Sequence, residues 1–357
     1  MKRLLSLDFF RGLTIAGMII VNDPGSWSHV YAPLRHAEWH GATPTDLVFP
    51  FFLFIVGVSI SLSLSKRKGS SNLYVKIFKR SAIIFLLGIF LALFPKFDFE
   101  NLRIVGVLQR IALVYLVCAI LYLNTSHSTQ LKTGIGLLVI YWITMAFIPF
   151  NGNLAGTLDP GNNFAAWIDS FIVPGRMYQE TWDPEGLFST IPAIATGISG
   201  MLCGKLITEL SKTSEKIIKL FFWGTIILIV SHFWDYTFPI NKHIWTSSYV
   251  LYSSGLAMII LAASMWIIDE RNYTSNIKFG LVFGSNAIVA YVLHGIVWRL
   301  FQFPIIGGVG FQKFWMDTGI GLGLSPKFVS LDWAIFYTLI IYMLVYQLYK
   351  RKIFIKI

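Results

Sequence analysis

Ionisable side chains inside apolar sequence mark where this chain could do chemistry, because a charge persists in lipid only where a partner or a function holds it. The run SLDFFRGLTIAGMIIVN, residues 6–22, places Asp8, Arg11, Thr14 and Asn22 in an otherwise apolar stretch. At about 100° per residue, Arg11 and Asn22 share one helical face about 16 Å apart. Asp8 and Arg11 are i,i+3 neighbours and can pair. The resulting polar stripe reads either as a hydrogen-bonded seam between helices or as the lining of a ligand path.

A second cluster, residues 35–57, carries His36, Trp39, His40, Thr43 and Asp46 where a loop enters an apolar run. An imidazole there suits proton transfer near neutral pH, and equally suits an interface lined by Trp and Tyr. His36 and His40 are four apart, but a third ligand with metal spacing is missing, so no metal site is expected. Further along, LRIVGVLQRIALVY, residues 102–115, holds Arg103, Gln109 and Arg110, and a buried Arg needs a carboxylate, a carbonyl or an anionic ligand. The turn TWDPEG offers Asp183 and Glu185 for helix capping or for a hydroxylated ligand. In GSNAIVAYVLHG, Asn286, Tyr291 and His294 recur at helical spacing. There is no Walker A loop, GxSxG, Rossmann fingerprint or HExxH.

The elements that must position these groups are membrane spans. Of 357 residues, 55% are hydrophobic and 13% are charged, about half the ~25% usual for a soluble domain. Mean hydropathy is +0.65. This composition excludes a disordered chain and argues against a soluble globule. The expected fold is all-α: a polytopic helical bundle of about ten transmembrane helices in one domain, 1–357. Candidate spans are 8–23, 46–65, 75–94, 104–123, 131–149, 188–209, 217–237, 247–268, 277–301 and 331–349. The segment 302–320, broken by Pro304 and glycines, fits a re-entrant or surface element. The N-terminus reads as a retained span, because Asp8 and Arg11 interrupt any signal-peptide core. Cys118 and Cys203 fall in apolar runs and read as packing residues.

The net charge of +11 would suggest nucleic acid in a soluble protein. Here it follows the positive-inside bias. Alternating from the N-terminus, 19 of the 29 Lys and Arg fall on one side and 8 on the other, with Arg11 and Arg110 inside spans. Both termini are therefore expected in the cytoplasm, with long outer loops at 24–45 and 150–187. The first outer loop holds three of the seven histidines, His29, His36 and His40.

The pieces SLDFFRGLTIAGMIIVN, HAEWHGATPTDLVFPFFLFIVGVSI, RIVGVLQR, DPEGLFSTIPAIATGISG and GSNAIVAYVLHG occur in that order. Together they resemble the transmembrane acyltransferase family of lysosomal heparan-α-glucosaminide N-acetyltransferase, from about residue 3 to about residue 300. The chain looks like a shorter bacterial member without an extended luminal N-terminal region. The resemblance implies acetyl transfer from cytosolic acetyl-CoA, as co-substrate, to an amino sugar of glucosamine type across a bacterial inner membrane. Its active-site motif His-x-x-Trp-x-Gly-x-Thr corresponds to His36, Trp39, Gly41 and Thr43, and the Val-Asn ending its first span to Val21 and Asn22. His40 departs from the Asn usual after that Trp in the lysosomal type.

The resemblance, taken with the placement of the polar residues, suggests roles for individual residues. His36 would act as general base or acetyl carrier, Asn22 would stabilise the oxyanion, and Asp46 would orient His36 or cap the second span. Arg11, Arg103, Arg110 and Asn286 would hold the coenzyme, with phosphates on basic groups. Trp39, Asp183, Glu185, Tyr291 and His294 would line the sugar pocket. The expected partners are the amino sugar, coenzyme A and the lipid bilayer, with no nucleic acid and no metal. The family also admits a homodimer. The competing class is an amino-sugar or N-acetylglucosamine transporter, against which no paired broken helices or inverted repeats are evident in the sequence.

Overall fold

The computed structural model describes residues 4–65, 72–304 and 308–355. Lys2, Arg3, Lys66, Arg67, Lys68 and Lys356 of the charge count, and positions 305–307 of the interrupted segment, lie outside the described residues. The helices are α1 (Leu5–Asn22), α2 (Val48–Leu64), α3 (Leu73–Leu93), α4 (Val107–Asn124), α5 (His127–Phe147) and α6 (Phe164–Ile172). They continue with α7 (Thr190–Glu209), α8 (Thr213–Asp235), α9 (Ser247–Met265), α10 (Lys278–Ser285), α11 (Ala287–Phe301), α12 (Phe311–Gly321) and α13 (Pro326–Lys350). The only sheet among the described residues is a hairpin of β1 (Leu158–Asp159) and β2 (Asn162–Asn163). The protein is an all-α polytopic membrane protein.

Among the described residues, eight helices are long and apolar enough to cross a membrane, and nine spans result if one bent pair counts as one. Two of the ten expected spans differ. In α3, 21 residues long, the exposed Lys76, Lys79 and Arg80 crowd the first half of the helix, so it falls outside the eight by charge and not by length. The expected continuous span 277–301 is broken into α10 and α11, bent by 84°. Asn286 makes the break: its side chain competes with helical bonding and bonds the chain after α13, donating Nδ2–H to Ile353 O (3.1 Å) and accepting from Ile355 N–H (2.9 Å). Broken backbone is tolerated at membrane depth where protein buries it, and Asn286 is buried. Within 302–320, α12 has 11 residues, too few to span.

Two compact units emerge: Met1–Ala37, Thr43–Phe49 and Ile267–Ile357 form the first, Glu38–Ala42 and Pro50–Trp266 the second. In the first unit α1 lies against α10 with backbones nearly touching. A Cβ on Gly12 would fall 1.8 Å from Gly280 O, and one on Gly284 1.8 Å from Asp8 O. Small residues permit this approach, and dispersion between the helices replaces the hydrophobic drive that lipid cannot supply. α13 packs on α1, α10 and α12, with Trp333 and Tyr337 fully buried.

In the second unit α3 pairs with α4, α5 and α4 with α7, and α8 with α9. Tyr141, Met145, Phe150, Phe164, Phe238 and Ile244 form a buried core under the loop 150–187. Tyr141 ties α5 to that layer by donating its hydroxyl to Ile244 O. Asn163 starts α6 by accepting the Ala166 N–H at 2.9 Å, which satisfies one of the free donors of a helix N-terminus.

Candidate functional site

The segment between α1 and α2 begins at Asp23 and carries His36 and Asp46, all in the first unit. Thr43-Pro44-Thr45-Asp46 is a helix-start signal: Thr43 caps, Pro44 presets the first turn and Asp46 reaches back to the Thr43 N–H at 3.0 Å. The same carboxylate accepts from the Ala37 N–H (3.0 Å) and the Thr43 hydroxyl (3.0 Å) through Oδ2, and its Oδ1 lies 2.6 Å from His36 Nδ1. With so many donors converging, Asp46 acts as acceptor, so the shared proton is assigned to His36 Nδ1 and the lone pair to Nε2. Asp46 is fully buried, whereas the His36 side chain keeps 31% of its surface. The result is an anchored imidazole with its lone pair on Nε2, the arrangement of a general base. Asn22 ends α1 and is exposed.

Sequence reasoning missed the next residue. Asp23 caps the end of α1, and its Oδ2 lies 3.0 Å from His294 Nδ1 on α11, again within the first unit. Burial pushes the Asp23 carboxyl up from its ordinary range, against the pull of His294 and Arg299. Tyr291 sets its ring edge-on to the imidazole at 5.2 Å, and the Tyr337 hydroxyl donates to His294 O. The available signal was an acid directly after the Val-Asn pair, at the end of an apolar span.

Toward the other end of α1, Arg11 donates to Asp8 (3.0 Å) and to Gly284 O (3.1 Å). Arg11 and Asn286 thus both brace the α10–α11 break.

The second unit holds the remaining candidates. Trp39 follows His36 by three positions in sequence. Its ring stacks on His243 (5.2 Å, 7°), meets Trp182 edge-on (5.2 Å), and its indole N–H donates to Leu158 O at 2.8 Å. His40 Nδ1 lies 3.3 Å from Asn241 Nδ2, and burial pulls its basicity below that of a free imidazole. Arg103 donates Nε–H to Asp183 at 2.7 Å and also pairs with Glu185. Asp183 further accepts the Tyr178 and Glu185 N–H groups at 2.8 Å. The three residues thus form a closed brace at the entry to α7.

Arg110 is fully buried, lies over Trp245 at 5.0 Å, and donates to Gly186 O at 2.8 Å and to Ser189 Oγ. Among the described residues its buried Nε and Nη1 have no hydrogen-bond partner. Asp169 on α6 was also missed. It accepts the Phe188 N–H at 2.9 Å, and burial pushes its carboxyl up to about 6. Its signal was a single charge in the apolar run AAWIDS. Asp169, Asp183, Ser189, Trp182 and His243 line a small cavity together with Asn163 and Ile244.

The fit to a coenzyme is uneven. The guanidinium groups of Arg11 and Arg103 and the amide of Asn286 already bond protein groups, whereas Arg110 retains two orphaned donors.

Comparison with known proteins adds a family likeness. The sequence profile described as heparan-α-glucosaminide N-acetyltransferase, catalytic, matches residues 3–216. The heparan-α-glucosaminide N-acetyltransferase of Homo sapiens is 28% identical over an alignment of 415 positions, gaps included, covering 99% of this chain and 60% of the human protein. That of Mus musculus is 28% identical over 416 such positions, covering 100% and 61%. The chain therefore spans about three-fifths of the length of the curated relatives it matches. Asn22, His36, Asp46, Arg103, Arg110, Asp183 and Glu185 lie inside the profile match, and Asn286, Tyr291 and His294 lie beyond it.

Proposed function

The chain belongs to the heparan-α-glucosaminide N-acetyltransferase catalytic family, and from that membership we propose that it is a transmembrane N-acetyltransferase, moving an acetyl group from cytosolic acetyl-CoA to the amine of a glucosamine-type sugar on the outer side of a bacterial inner membrane. The observation that carries the reading is the His36–Asp46 pair, 2.6 Å between Nδ1 and Oδ1. Asp46 holds the Nδ1 proton, so His36 Nε2 is the proton acceptor. The amine lone pair attacks the thioester carbonyl, the N–C bond forms, and the C–S bond breaks with its electrons on sulfur. His36 takes a proton from nitrogen and returns it to the leaving thiolate. Asn22, exposed where α1 ends, donates its side-chain N–H to the developing oxyanion. The Asp46 contact leaves the Nε2 lone pair for proton transfer, and the same lone pair would serve an acetyl-imidazole route.

Orientation rests on the basic residues, which put both termini in the cytoplasm. The cations at the end of α13, Lys350, Arg351 and Lys352, would then face the coenzyme's phosphates. Arg103, Asp183 and Glu185 are spent on one another within the second unit. The broken α10–α11 helix is a device that carriers also use, so a sugar transporter is the competing reading.

The deciding experiment places the purified protein in proteoliposomes with labelled acetyl-CoA on one side and glucosamine on the other. N-acetylglucosamine forming on the glucosamine side supports the reading. Sugar flux without any acetylation would replace it with the transporter.

A further inference from the structure

The transfer reaction has a proton balance that one imidazole does not close. The acceptor meets the enzyme as R–NH3+ and leaves as R–NH–CO–CH3. Nitrogen therefore sheds two protons: one ends on the coenzyme sulfur, and the other is released. The first must go before attack, because an ammonium has no lone pair; the second goes as the N–C bond forms. A single histidine carries one proton at a time, so if His36 shuttles the second from nitrogen to sulfur, the first goes either to water or to another group of the protein.

The first unit contains a second imidazole built the same way. His294 Nδ1 lies 3.0 Å from Asp23 Oδ2, as His36 Nδ1 lies against Asp46. Both carboxylates belong to the segment that joins α1 to α2, Asp23 as its first residue and Asp46 near its last. Asp23 directly follows Asn22, the proposed oxyanion donor. Tyr291 packs edge-on against the ring and Tyr337 holds the His294 backbone carbonyl, and among the described residues no hydrogen bond other than that of Asp23 engages the imidazole. Burial separates the two stations: the His294 side chain is 11% exposed and that of His36 31%. A carboxylate with a buried histidine is a costly pair to retain.

We infer that His294, held by Asp23, is a second proton station for this transfer, taking the ammonium proton before attack while His36 serves the step to sulfur. Asp23 is then a positioning residue: it keeps the proton on Nδ1 and so leaves Nε2 able to accept. The inference rests on the acetyltransferase reading.

The test varies the acceptor and keeps acetyl-CoA as donor. Glucosamine must lose the extra proton, whereas O-methylhydroxylamine, a neutral amine at pH 7, does not. Asp23→Asn and His294→Gln should lose about 10²-fold or more in kcat with glucosamine and less than about threefold with O-methylhydroxylamine. Asp23→Glu should recover part of the glucosamine activity. Equal losses with both acceptors would make the pair a structural clamp between α1 and α11, and undiminished glucosamine transfer would leave it no role in the reaction; either result overturns the inference while the acetyltransferase reading stands. A parent protein that acetylates neither amine would overturn that reading, and this one with it.

Discussion

Asp46 holds His36 with one carboxylate oxygen and its own helix start with the other. Oδ1 lies 2.6 Å from His36 Nδ1, while Oδ2 takes the N–H groups of Ala37 and Thr43 at 3.0 Å. Capping and orientation, alternatives when read from sequence, are one arrangement. The Thr-Pro-Thr-Asp helix start fixes the carboxylate, and the fixed carboxylate sets the imidazole, so the base is preorganised by the same bonds that begin α2.

His36→Ala should therefore lower acetyl transfer to glucosamine by about 10²–10⁴-fold while the protein still folds and binds acetyl-CoA. Asp46→Asn should also slow transfer and should cost about 1–3 kcal/mol of stability, because buried donors lose a charged acceptor. His29→Ala and His40→Ala serve as controls and should keep most activity. Transfer rates and thermal unfolding in detergent check both effects; near-parental turnover of His36→Ala would remove it as the base.

Arg103→Ala should destabilise the second unit by about 3–5 kcal/mol, since Asp183, with no exposed surface, would be left without its cation. Arg103→Lys should recover only part, because an ammonium cannot reproduce the two-point guanidinium contact. A melting temperature unchanged in Arg103→Ala would show that the brace carries no stability.

The carboxyl of Asp169 is pushed up to about 6 by burial, from an ordinary value of 3.8. The folded state therefore holds its proton more tightly than the unfolded one, and stability falls as pH rises from about 4 to above 6. At most this amounts to about 3 kcal/mol. Asp169→Asn can still accept the Phe188 N–H and has no carboxyl to ionise, so its melting temperature should fall less over that range. Parallel curves for the two proteins would contradict the assignment.

The charge topology predicts that cysteines placed at Ser28 and Ser211, both exposed, differ in intact cells. An impermeant thiol reagent should label the Ser28 site and spare the Ser211 site, and the two native cysteines should stay silent because both are buried. Labelling of the Ser211 site alone would invert the orientation.

By itself the sequence determined the all-α membrane class, because low charge and long apolar runs leave few other solutions. It also singled out His36 with Asp46, because a helix-start motif is local and its partners lie ten residues apart. Partners distant in sequence were decided by tertiary structure alone. Asp23 finds His294 across 271 positions, and Arg103 finds Asp183 across 80, pairings that no periodicity encodes. The break at Asn286 was hidden for the same reason: its apolar flanks read as one span, and the bonds that brace the bend come from Ile353, Ile355 and Arg11, all distant in sequence. Local hydrogen-bond chemistry is written in neighbouring residues, whereas the pairing of buried charges depends on which helices pack together.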